Sequence, residues 1–140
     1  VNNVQNAVDP PPNQGLGLGM APIGAKVTVV TPTAIMVNVS ANITLASGYD
    51  IGQVQPIIEE AIGAYLLGIR QKWGTPVTAG GIEYSANVYR AQVIAAIVGS
   101  SGVLNATDVK LNAAEADIIL TETGTVQQVP KMGTVTLVEA

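Results

Sequence analysis

Residues 50–73, DIGQVQPIIEEAIGAYLLGIRQKW, decide the fold. Apolar residues recur at Ile51, Val54, Ile57, Ile58, Ala61, Ile62, Tyr65, Leu66, Ile69 and Trp73. Steps of three and four place them on one wide stripe of a 3.6-residue helix. Asp50 is an N-cap residue, Gln53 stands where it can reach back to complete a capping box, and Tyr49 and Val54 occupy the positions of a hydrophobic staple. Gly74 and Pro76 stop the helix. Pro56 has no amide to offer the Gly52 carbonyl, so either the first turn kinks or the regular helix begins at Pro56.

A stripe of that width needs an apolar partner, and the preceding segment supplies one. In Ala34–Ala46, Ile35, Val37, Val39, Ala41, Ile43 and Leu45 alternate with Met36, Asn38, Ser40, Asn42 and Thr44. Period two over that length describes a strand with one buried and one polar face, which the long helix is expected to cover. Lys26–Thr31 reads as a shorter, Val-rich strand ended by Pro32. Downstream, Thr75–Gly81 reads as a loop and Ile82–Tyr84 as a short strand. Ser85 caps a second helix to about Gly99, with a stripe of Val88, Ala91, Ile94, Ala95 and Val98 and with Ile97 alongside. The helical period then disappears. Val103–Leu104, Val109–Leu111, Ile118–Leu120, Val126–Val129 and Thr134–Val138 read as short strands of an antiparallel meander.

The first 25 residues differ from the rest. Val1, Val4 and Val8 fit two helical turns ending at Asp9. Pro10, Pro11 and Pro12 form an extended, stiff piece. Gly15, Gly17 and Gly19 then alternate with Leu16, Leu18 and Met20, an arm with apolar studs. The expected architecture is α+β: two helices packed on one face of a mainly antiparallel sheet, with an extended N-terminal arm. Residues 1–25 are the arm or linker, and residues 26–140 one domain.

Composition narrows function. The chain has 140 residues, enough for one real core, yet only 11% are charged against 48% hydrophobic. The ordinary charged share is about 25%, so this surface suits a subunit packed against others. The six basic residues are scattered and the net charge is −4, which argues against a nucleic-acid groove. Apolar runs fall short of the ~18 residues of a membrane span. Cys and His are absent, which removes thiol chemistry, Cys or His metal sites and the commonest general base. No signal peptide is visible, and a chain starting at Val1 reads as part of something longer.

The remaining motifs are weak. Gly15-x-Gly-x-Gly lacks the strand before and helix start after that a phosphate loop requires. Glu59 and Glu60 point about 100° apart on a helix and cannot share a substrate. Asp108, Asn112, Glu115 and Asp117 gather at one turn but fit no calcium-loop spacing. Asn38-Val-Ser40, Asn42-Ile-Thr44 and Asn105-Ala-Thr107 match glycosylation sequons without a secretory context. Trp73, at a helix end, is either core or an anchor for a partner.

Several ordered stretches resemble one family. Residues 19–29, Thr31-Pro32-Thr33 and Val37–Ala41 resemble the opening of the C-terminal domain of baseplate J-like proteins, tail components of contractile bacteriophages and prophage elements. Gly48-Tyr49, Tyr65-Leu66, Tyr84-Ser85, Gly102-Val103, Val109–Asn112, Asp117–Leu120, Val129-Pro130 and Gly133–Leu137 continue the likeness. Asp9-Pro10 resembles the family's helix end before its Gly-rich arm, while the Pro10–Pro12 run departs from the pattern. The resemblance implies a structural, non-enzymatic subunit of a tail baseplate, with no catalytic residue, cofactor or metal to carry over. It implies other baseplate or tail subunits as partners, self-association included, and no nucleic acid, membrane or small-molecule substrate. It implies a virion location after assembly in the bacterial host cytoplasm. Candidate interface residues are Pro10, Pro11, Pro12, Leu16, Leu18, Met20 and Trp73. The alternatives are a ligand- or glycan-binding module of a phage tail, which one Trp, four Tyr and no Phe support poorly, and a hydrolase, for which no carboxylate or Ser-Lys spacing is present.

Overall fold

The computed structural model describes all residues except 73, 74, 79, 80, 84–86 and 124, and only the backbone course of 75–78 and 81–83. The chain divides into two compact units, Val1–Pro32 and Thr33–Ala140.

In the larger unit the elements run β1 (Thr33–Leu45), α2 (Ile51–Gln71), β2 (Thr75–Thr78), β3 (Gly81–Glu83), α3 (Arg90–Val98), β4 (Val103–Leu111) and β5 (Gln128–Glu139), after α1 (Asn2–Val8) in the smaller one. This is an α+β arrangement. Its main sheet has three strands in the order β4-β1-β5. β1 pairs antiparallel with β4 and parallel with β5, so the sheet is mixed rather than mainly antiparallel.

The expected meander fails for a physical reason. β1 carries the longest apolar alternation and takes the central place, where both of its edges are paired. β5 therefore returns to β1 instead of to its sequence neighbour β4. Two pairs of expected short strands are each one long strand, 103–111 and 128–139. Ile118 makes only an isolated bridge to Val88. β2 and β3 form a separate antiparallel pair, which replaces the loop expected over Thr75–Gly81.

The core follows the two periodicities. Val37, Val39, Ala41 and Ile43 of β1 are buried in one cluster with Val54, Ile58, Ile62 and Leu66 of α2. Val93 and Ile97 of α3, Val109 and Leu111 of β4, and Val135 of β5 complete it, with Val88. The α2 stripe is narrower than its sequence suggests: the fully buried residues recur strictly every four, and Ile57 is exposed.

The Asp50 capping box is present in both directions. The Gln53 amide donates to Asp50 Oδ1 at 2.9 Å and the Asp50 amide to Gln53 Oε1 at 3.1 Å. The regular helix starts at Ile51 and passes through Pro56. The Tyr49 ring lies against Gly102, whose φ of +88° turns the chain between α3 and β4. α3 begins at Arg90, later than expected, because Val88 is held extended by paired bonds with Ile118, 2.9 Å each way. Its fully buried residues are accordingly Val93 and Ile97; of the expected stripe, Val88 is buried ahead of the helix, Ile94 is partly buried against the core, and Ala91, Ala95 and Val98 are exposed. The expected caps at Ser85 and Gly74 lie outside the described residues.

Both edge strands are bulged. β4 has one residue more than β1 between Thr107 and Lys110, with Asp108 at φ +49°, and β5 one more between Met132 and Val135. Opposite the β5 bulge, Asn38 ties the three strands together. Its amide donates to Asn112 Oδ1 (2.9 Å), its carbonyl accepts from the Asn112 amide (2.8 Å), and its Oδ1 accepts from the Thr134 amide (2.9 Å). Asn112 Nδ2 also donates to the Met36 carbonyl at 3.1 Å. Gly133 is required here, since a Cβ at that position would overlap the Asn38 side chain.

Candidate interaction surface

Residues 1–32 contain no apolar core of the usual kind. Their buried residues are Gln5, Asp9 and Ala21. α1 is only 7 residues long and cannot persist by propensity alone. The chain after it returns to close its C-terminal end: the Met20 and Ala21 amides donate to the carbonyls of Ala7 and Val8 at 3.0 and 2.8 Å. That approach needs Gly19, because a Cβ there would come within 2.5 Å of the Val8 carbonyl oxygen.

Asp9 is 1% exposed, and its carboxylate accepts from the amides of Gly15 (2.9 Å) and Val27 (2.8 Å). Gln5 uses both ends of its side chain. Nε2 donates to the carbonyls of Asp9 and Val27, each at 2.7 Å, and Oε1 accepts from the Val29 amide at 2.6 Å. A buried carboxylate is tolerable only with such donors, and here they are backbone amides six and eighteen residues along the chain from Asp9. The Gly24 amide donates to the Gly15 carbonyl at 2.7 Å and closes the intervening loop.

The expected extended piece at Pro10–Pro12 is instead a turn, with the Asn13 amide donating to the Pro10 carbonyl at 3.0 Å and a cis Pro11–Pro12 peptide. Among the described residues Lys26–Thr31 pairs in no backbone ladder, and the side chains of Gln5 and Asp9 occupy the bonding positions on one side of it.

The loop between Gly15 and Gly24 presents Leu16, Leu18, Met20 and Ile23 outward, the last two 82% and 83% exposed. Pro11 and Pro12 are exposed and Pro10 is half-buried. The structure thus brings Leu16, Leu18 and Met20 onto one polar-pinned loop, with the prolines in the turn before it. Trp73 lies outside the described residues. Sequence reasoning missed Gln5 and Asp9 as organisers, and Ile23 as an exposed apolar side chain. The available signal was the Asp-Pro pair closing a short helix.

The polar clusters of the larger unit are engaged within it. Lys110 Nζ meets Asp108 Oδ1 at 2.8 Å, and Arg90 meets Glu115 at 3.3 Å. Asp117 Oδ1 accepts from the Arg90 amide at 2.7 Å and so caps α3, whose own N-cap residue, Tyr89, supplies no side-chain bond. The hydrogen bond from Lys110 holds the Asp108 carboxyl below its usual range, and the same bond raises the Lys110 ammonium. Gln55 donates to Glu59 at 2.9 Å along α2. Among the described residues no three acidic side chains converge as a metal site, and no helix is long and apolar enough to cross a membrane.

The chain is 31% identical over 140 residues to the uncharacterized protein YqbT of Bacillus subtilis (strain 168). It is 29% identical over the same length to the phage-like element PBSX protein XkdT of the same strain. In each case the alignment covers 99% of this chain and 35% of the relative, so the chain spans about a third of their length. The family model described as baseplate J-like protein C-terminal domain matches residues 37–138, from the core of β1 to the end of β5. With the bulged, asparagine-tied sheet and its two helices inside that match, the chain belongs to the baseplate J-like protein family.

Proposed function

We propose that this chain is a structural subunit of a contractile phage or prophage-derived tail baseplate, that it acts by protein–protein assembly, and that it performs no catalysis. The observation that carries the reading is the family match across residues 37–138, which takes in all three strands of the main sheet and both helices that pack on it. The similarity to a protein of the phage-like element PBSX points to the same setting.

The smaller unit supplies the packing surface. Leu16, Leu18 and Met20, with Pro10, Pro11 and Pro12 beside them, are apolar side chains held outward by a buried polar frame, an arrangement that costs solvation until a partner covers it. Trp73 belongs to the same proposal as an aromatic anchor. The partners are other baseplate or tail subunits, and the site of action is the virion tail after assembly in the host cytoplasm.

Co-expression with the products of the adjacent reading frames tests the reading. The parent chain is expected to co-purify with at least one of them, and the triple variant Leu16→Ser, Leu18→Ser, Met20→Ser to lose that partner while keeping its melting midpoint. Unchanged co-purification of the variant would remove the loop from the interface.

A further inference from the structure

We draw no further inference here: the strongest candidate, the outer edge of β5 at the end of the main sheet, carries no further strand among the described residues, and nothing in the structure shows what covers it.

Discussion

In Thr33–Ala140 the most deeply buried side chains are aliphatic: Val37, Ile43, Ile58, Ile62, Leu66 and Ile97 are all at 1% exposure or less. In Val1–Pro32 the buried positions belong to Gln5, Asp9 and Ala21, and the large apolar side chains Leu16, Leu18, Met20 and Ile23 face out. One unit is held by area removed from water, and the other by hydrogen bonds from two polar side chains to backbone groups far along the chain. The first arrangement tolerates loss of one contact if volume is kept. The second loses a whole loop with one atom, because each oxygen of Asp9 holds a different segment. Burial without direction makes a stable platform. Directional bonds can hold a short segment in one shape while its apolar side chains stay outward for a partner.

The contrast breaks most sharply at Ile62. Ile62→Asp places an unpaired charge in the cluster shared by β1, α2 and α3 and should unfold the larger unit, a cost above about 4 kcal/mol. A variant that melts with the parent in circular dichroism would show that α2 does not face the core.

A second substitution tests the other side. Asp9→Ala leaves the amides of Gly15 and Val27 without acceptors, at about 2–3 kcal/mol. The loss should stay local: amide exchange across residues 13–29 accelerates about thirtyfold or more, while the melting midpoint of the larger unit is unchanged. A shift of that midpoint would show that the two units share one cooperative transition.

Within the larger unit, Asn38 is the point where directional bonds matter as they do in residues 1–32. Asn38→Ala removes the acceptor of the Thr134 amide and should cost about 1–2 kcal/mol in urea unfolding. Gly133→Ala should be destabilising alone but much less so in the Asn38→Ala background, since the overlap is with that side chain. Strict additivity of the two would mean that Gly133 is required for its backbone alone.

The smallest effect belongs to the exposed Asp108–Lys110 pair. Asp108 titrates low in the folded state because Lys110 donates to it, so its contribution is present above the ordinary carboxylate value, about 3.9, and fades as pH falls through the lower folded value. Lys110 titrates high, so its contribution is present below about 10.4 and fades as pH rises through the higher folded value. Stability should therefore be flat between those limits, and Asp108→Asn should remove both limbs with little change at pH 7. A sizeable loss at neutral pH would show that the bulge at Asp108 depends on its charge.

Local chemistry was legible wherever it repeats along the chain. The alternation of Ile35 to Leu45, the four-residue recurrence of Val54, Ile58, Ile62 and Leu66, and the Asp50–Gln53 box each state their structure within a few residues, because strand, helix and cap are local geometries. The same holds for the short helix ending at Asp9 and for the ordered stretches that mark the baseplate J-like domain. What the tertiary structure alone decided involves partners distant in sequence. Nothing near Gln128–Glu139 says that it lies parallel to β1, since that choice follows from giving the most apolar strand two paired edges. Nothing near Asn38 names Asn112 or Thr134. The late start of α3 depends on Val88 meeting Ile118. Residues 1–25 read as an extended arm because their hydrophobic pattern has no inward side. They are compact because Gln5 and Asp9 bond to Gly15, Val27 and Val29, and hydrogen bonds of that reach leave no periodic trace in the sequence.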